Sequence, residues 1–267
     1  MIVALAQTHI LWEDKKNNFE KVISFVTEAK RQKADIIFFP EMSLTGFSMN
    51  TKVTAEGDLQ ETVEKIKELC KREKIAVGIG WTKQEEEKAE NHYTVVNQEG
   101  SICSDYIKIH PFSYAGEAEI FQGGNKFSYF KLGEYTWSTF ICYDLRFPEV
   151  FQIASQKADV IVVPANWPKN REEHWRTLLK ARAIENQCFI LGINCVGMID
   201  DIMYSGFTSI YSPEGQCIKA LSDEEGIITI ELNHAGLDIR RQFPVRQDRK
   251  WGFYGKNYMD IFSERNL

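Results

Sequence analysis

The chain has 267 residues, 43% of them apolar in type, and 32 Lys and Arg against 38 Asp and Glu give it a formal net charge of −6. That length and apolar share can fill a sizeable core, while the acidic balance and scattered basic residues leave no basis for nucleic acid as a partner. No stretch nears the roughly 18 apolar residues of a membrane span, and residues 1–7 lack the basic start of a signal peptide, so a cytoplasmic protein is expected.

Taken in chain order, the first strand is followed by no Gly-rich phosphate loop. Residues 32–40, QKADIIFFP, follow a segment of helical character and end in Pro after an apolar run, the pattern of a buried strand. A helix over 58–72 and a strand over 75–80 come next, then strands over 92–97 and 102–109 separated by the turn Gln98-Glu99-Gly100. In 137–146, WSTFICYDLR, a β-rich run leads to Cys142 and polar residues follow at once, ahead of a helix starting near Phe147-Pro148.

The sequence then repeats itself: 156–164 reads QKADVIVVP, followed by a helix over 172–186 and a strand over 189–194. Strands over 206–211, 216–220 and 226–232 complete this half, with a turn at Ser212-Pro213-Glu214-Gly215. From about residue 233 a C-terminal arm carries Arg240, Arg241, Arg246, Arg249 and Lys250 around apolar Phe243, Pro244 and Val245, the mixture of a packed arm and not of a basic tail. Two similar α/β halves, each with an apolar sheet face to bury, pack most simply sheet on sheet with helices outside. The expected fold is a four-layer α-β-β-α sandwich forming a single domain over 1–267. A doubly wound single sheet is the alternative, and it lacks its phosphate loop.

Six cysteines (Cys70, Cys103, Cys142, Cys188, Cys195, Cys217) show no CxxC pair or dense framework, and in a reducing compartment they are expected as free thiols. Cys142 stands apart because a sharp strand-to-helix turn can expose a nucleophile and aim a backbone N–H at a developing oxyanion, although taken alone a buried cysteine is more often a small hydrophobe. The other five read as packing residues. Glu41 follows the first repeat directly, at the mouth of a strand where α/β sites collect, although such a carboxylate is often merely solvated. Lys108 interrupts an apolar strand end and has a snorkelling surface lysine as its ordinary alternative. Glu117, in YAGEAE, reads equally as a loop carboxylate.

PEMSLTGF, IKIHPF followed by AGEAE, ICYDLRFPEV, and PANWP with HWRTLLKARAIENQ together resemble the nitrilase, or carbon–nitrogen hydrolase, superfamily. The resemblance runs over nearly the whole chain in four ordered motifs. GFSMN and PANWP beside CYDLRFP look most like the small bacterial omega-amidases. It implies the same sandwich fold, Cys142 as nucleophile, Glu41 as general base, Lys108 as the site lysine and Glu117 as an additional glutamate near it. It implies no cofactor or metal, and a homodimer formed through a helical surface, with an arm over 240–251 packing round the sandwich.

Tyr143, Trp167, Phe47 and Phe112 are candidate walls of a small pocket, and Tyr143 also supplies a candidate oxyanion N–H. Arg146 either neutralises a substrate carboxylate or braces its turn through Asp144 or Glu149. The expected activity is that of a thiol amidase acting on the terminal amide of a 2-oxo dicarboxylic acid monoamide, 2-oxoglutaramate or 2-oxosuccinamate. A deaminated-glutathione amidase and a carbamoyl or nitrile hydrolase are the alternatives within the family. Outside it stand a Cys–His hydrolase using His110 or His174, and a non-catalytic binding protein.

Overall fold

The computed structural model describes residues 1–265, with side chains to Ser263. Among these residues the chain forms two seven-stranded sheets. In the first, the strands run Gly226–Glu231, Ile2–Gln7, Ile36–Phe38, Ala76–Gln84, Ala89–Val96 and Ile102–Ile107, and Phe121–Gln122 pairs with Ala89–Val96. The order in the second is Val196–Ile199, Ile202–Tyr211, Phe189–Asn194, Val160–Ala165, Tyr135–Thr139 and Tyr129–Leu132, and Cys217–Ser222 pairs with Ile202–Tyr211. The centre of each sheet is parallel and its flanks antiparallel.

Strand alternation decides which side chains face which layer. In Ile2–Gln7, Val3 and Leu5 join the core between the sheets, whereas Ala4 and Ala6 face the helices Lys15–Arg31 and Glu61–Glu73. Those helices answer with Val22, Val26 and Ala29, and with Ile66, Leu69 and Cys70, at the three-to-four-residue spacing of one buried face. On the second sheet, Trp175, Leu179 and Ala183 recur every fourth residue along Glu172–Asn186 and are all buried. Between the sheets Phe38 meets Trp137 with ring centroids 5.6 Å apart, one contact in a core continuous across both halves. The α-β-β-α sandwich is the architecture expected from the repeat.

Several boundaries moved for physical reasons. The helix expected over 58–72 begins at Glu61, after Gln60 in a left-handed conformation (φ 47°). The strands expected over 75–80 and 206–211 extend to Ala76–Gln84 and Ile202–Tyr211 because each continues into a hairpin with an antiparallel neighbour. The strand expected over 226–232 as part of the second half instead lies in the first sheet, paired antiparallel with Ile2–Gln7. There it covers an edge that would otherwise stand open.

The arm is anchored as its mixed composition suggested. Arg240 binds Asp159 at 2.6 Å and the carbonyls of Ala158 and Gln187, and Arg249 binds the carbonyls of Gln152 and Glu185. Beyond it the chain forms a helix, Trp251–Arg265, that the sequence reading did not locate and whose Phe253 and Met259 are exposed. All six cysteines are free; Cys70, Cys188 and Cys195 are buried packing residues, but Cys217 is exposed at a sheet edge and packs no core. Among the described residues no helix is long and apolar enough to cross a membrane.

Candidate active site

The central parallel strands deliver their carboxyl ends to one place. Ile36–Phe38 leads to Glu41, Tyr135–Thr139 to Cys142, and Val160–Ala165 to Asn166 and Trp167. Room for the Glu41 turn comes from Gly80 on the neighbouring strand: a Cβ there would lie 2.5 Å from the Met42 backbone nitrogen and 2.9 Å from the Glu41 carbonyl carbon. No side chain fits that approach.

Cys142 opens a single helical turn, Cys142–Arg146, with φ at +44°, a left-handed conformation that non-glycine residues adopt at a cost. Asp144, wholly buried, holds the turn. It accepts hydrogen bonds from the Ile141 backbone N–H (2.9 Å), the Tyr106 hydroxyl (2.8 Å), and both the backbone N–H (2.9 Å) and ring Nδ1 (2.7 Å) of His110. His110 is further stacked on Phe147 at 3.8 Å. Asp144 and His110 thus brace the turn that carries Cys142, and His110, an alternative base, is engaged in that brace. Arg146 braces nothing there: neither Asp144 nor Glu149 pairs with it.

Glu41, Lys108 and Glu117 are buried together, at 0%, 1% and 0% exposure, so the solvated alternatives fail for all three. Lys108 Nζ donates to Glu41 Oε1 at 2.9 Å and to Glu117 Oε1 and Oε2 at 3.0 and 2.8 Å. Burial pulls the lysine's pKa down, but the charges of Glu117 and Glu41 outweigh it and the net shift is upward, so the ammonium stays charged. Cys142 moves well above its usual value, through burial first and the Glu41 carboxylate second, with Lys108 opposing. At neutral pH Cys142 therefore rests as a thiol, close to the Glu41 carboxyl group.

A cleft of about 540 Å³, its mouth included, opens over Cys142. Phe47, Phe112, Tyr143, Arg146 and Trp167 all line it, as does Lys108, and Ile202 and Tyr204 close the far side. Trp167 is 3% exposed, its indole N–H donating to the Arg171 carbonyl at 2.7 Å, and Arg146 lies over its ring at 4.8 Å.

The sequence reading missed three residues here. Arg171 lines the cleft with its guanidinium 5.5 Å from the Phe112 ring; burial and then the Arg171 charge push the Arg146 pKa down. Asn166, noticed only as a neighbour of Trp167, is a hub. Its backbone N–H donates to Glu41 Oε2 (3.0 Å), its amide to the Glu41 carbonyl (2.6 Å), and its carbonyl lies 3.9 Å from Cys142 Sγ. Asn91, on Ala89–Val96, donates to both Glu41 and Glu117. Its strand also carries Glu90, His92 and Thr94, so nothing local in the sequence set Asn91 apart. Among the described residues no cluster of three or more His, Cys, Asp or Glu is arranged to hold a metal ion.

Comparison with known proteins agrees with this geometry. The family profile described as carbon-nitrogen hydrolase matches residues 2–241. The chain is 30% identical to a 2-oxoglutaramate amidase of Bacillus subtilis over 94% of its own length and 98% of the relative's. It is 34% identical to the omega-amidase YafV of Yersinia enterocolitica, covering 92% of this chain and 95% of that one. A crystal structure of a CN-hydrolase superfamily protein from Xanthomonas campestris, with an arsenic adduct in its active site, superposes with a TM-score of 0.88 at 26% identity, covering 94% of this chain and 97% of that one. The chain belongs to the carbon–nitrogen hydrolase family and is a hydrolase of carbon–nitrogen bonds.

Proposed function

We propose that this carbon–nitrogen hydrolase is a thiol amidase of the omega type, releasing ammonia from the terminal amide of a short 2-oxo dicarboxylic acid monoamide such as 2-oxoglutaramate or 2-oxosuccinamate. One observation carries the reading: a small cleft with a thiol beside a buried carboxylate–lysine pair at one end and two guanidiniums, Arg146 and Arg171, on its wall. Among the described residues neither guanidinium has a carboxylate partner; Arg146 lies over the Trp167 ring and has His174 Nδ1, at 3.3 Å, as a hydrogen-bond partner. Two half-buried like charges repel unless an anion lies between them, and a substrate carboxylate is that anion. The names of the relatives from Bacillus and Yersinia support the same substrate class.

In this mechanism Glu41 accepts the Cys142 proton as sulfur attacks the amide carbon. The oxyanion forms against the Lys108 ammonium and the Tyr143 backbone N–H, groups of a kind whose removal typically costs about 10²–10³ in rate. Glu41 returns its proton to the departing nitrogen, the C–N bond breaks, and ammonia leaves a thioester on Cys142. Glu41 then takes a proton from water, whose oxygen attacks the thioester; the C–S bond breaks, the thiolate regains the proton, and the acid departs. Glu117 fixes Lys108. Trp167, Phe47 and Phe112 cover the carbon chain, with Arg146 and Arg171 on its carboxylate. The enzyme works as a single cytoplasmic domain in a homodimer.

Hydrolysis of 2-oxoglutaramate, 2-oxosuccinamate, their uncharged ester analogues and a short nitrile, followed as ammonia, and of deaminated glutathione, followed as released cysteinylglycine, tests the substrate class. The 2-oxo monoamides should give the highest kcat/KM, and Arg146→Gln or Arg171→Gln should lower it for the acids while sparing the neutral amides. Preference for deaminated glutathione or for uncharged amides would contradict the reading.

A further inference from the structure

The Glu41–Lys108–Glu117 group places two carboxylates against one ammonium, all buried. Lys108 can neutralise only one of them. The second negative charge needs donors of another kind, since an uncompensated buried carboxylate takes up a proton instead. A protonated Glu41 could not accept the thiol proton.

Asn91 supplies those donors. Its amide nitrogen lies 2.8 Å from Glu41 Oε1 and 3.1 Å from Glu117 Oε1, so one NH2 group bridges the pair. Both neighbours are acceptors, which fixes the nitrogen and not the oxygen toward them. The Asn91 amide oxygen is buried and has no hydrogen-bond partner, a cost that packing does not explain. Its backbone carbonyl meanwhile accepts the Lys108 backbone N–H at 2.9 Å. One residue therefore sets the lysine's position from the main chain and both carboxylates from the side chain.

The donors also divide the two glutamates. Glu117 receives Lys108 on both oxygens, Asn91 on one and the Phe112 backbone N–H on the other. Glu41 receives Lys108 and Asn91 on Oε1 but only the Asn166 backbone N–H on Oε2. Acceptor capacity is left on Oε2, the oxygen open to exchange a proton with Cys142.

We propose that Asn91 is a positioning residue that holds Glu41 ionised and turned for proton transfer by bridging it to Glu117. The proposal rests on Glu41 being the base. The other titratable groups near Glu41 are Lys108, Glu117, Cys142, Cys195 and Tyr204. Of these only Lys108 is a cation, and Asn91 is the neutral side chain that reaches both carboxylates.

Alkylation of Cys142 by iodoacetamide, followed on its peptide by mass spectrometry across pH, reads this directly. The probe is uncharged and does not depend on the substrate assignment. In the wild type the alkylation rate should fall along an acid limb. Asn91→Ala should move that limb to higher pH, because loss of a donor favours the neutral acid, and lower kcat for amide hydrolysis on the order of 10- to 100-fold with little change in KM. Asn91→Asp keeps the shape but adds a like charge, so its limb should move further still. A merely structural Asn91 predicts a lower melting temperature for Asn91→Ala, near-normal Asn91→Asp and unmoved limbs, which would overturn the proposal. If Glu41→Gln alkylates at the wild-type rate, Glu41 is not the base and the proposal falls with that reading. A slowed Glu41→Gln beside unshifted Asn91 variants overturns the role of Asn91 alone.

Discussion

Lys108 shows how far burial separates a site residue from its surface alternative. It sits at 1% exposure with three hydrogen bonds to two carboxylates, so the lysine is a structural keystone as well as a candidate oxyanion donor. Lys108→Ala leaves two buried like charges facing each other. Breaking such a group typically costs about 3–5 kcal/mol, and the carboxylates relieve the rest by binding a proton. The variant is expected to melt earlier, and by less at low pH than at neutral pH, with kcat/KM reduced at least as far as loss of an oxyanion donor reduces it. Thermal melts and initial rates check both; an unchanged melting temperature would deny the lysine its place. Glu41, Lys108 and Cys142 were legible in the sequence because short motifs surround them. Arg171 and Asn91 were not, since each is one polar residue in a loop or strand whose neighbours become visible only when distant strands meet.

At the scale of elements, the hairpin Ala76–Gln84/Ala89–Val96 carries a second charged group that does not line the cleft. His92 is buried, with Nδ1 at 3.0 Å from Asp105 and Nε2 at 3.0 Å from Glu90, and its ring lies 4.7 Å from Trp81. Burial lowers its pKa, but hydrogen bonding and charge from Asp105, then Glu90, outweigh this and raise it above the usual 6.5. The folded-state value lies above the unfolded one, so the stabilisation is fully present below about pH 6.5 and fades as pH rises through the raised value. Melting temperatures of the wild type and His92→Gln should therefore differ most in mild acid and converge in alkali. A gap that widens with pH would reverse the assignment. The helix Glu172–Asn186 and the strand Phe189–Asn194 matched expectation because the helix's buried positions and the strand's apolar run each lie within one segment. The placement of Gly226–Glu231 did not, because strand pairing across sheets has no local signature in a sequence.

For the molecule as a whole, the sandwich was legible from its repeat, QKADIIFFP and QKADVIVVP, whose apolar runs became central strands of opposite sheets. The helix Trp251–Arg265 was not, because Gly252 and Gly255 interrupt its pattern. Together with Phe147, Val150 and Ile153 that helix borders an apolar groove, the surface that would meet a second copy in the proposed homodimer. Truncation after residue 250 should shift sedimentation toward monomer while leaving far-ultraviolet circular dichroism dominated by the sandwich. A full-length chain that sediments as a concentration-independent monomer would remove the dimer from the account.

The proposed reaction turns on one sulfur atom. Ammonia release from 2-oxoglutaramate by purified Cys142→Ala, beside the wild type and with folding checked by melting, tests it most directly. The truncation removes a single half-buried thiol and leaves Asp144, His110 and the Glu41–Lys108–Glu117 group intact, so the protein should fold. The expected result is a folded protein with no turnover above background. A folded Cys142→Ala that still releases ammonia at a measurable fraction of the wild-type rate would contradict the thioester route and every role derived from it.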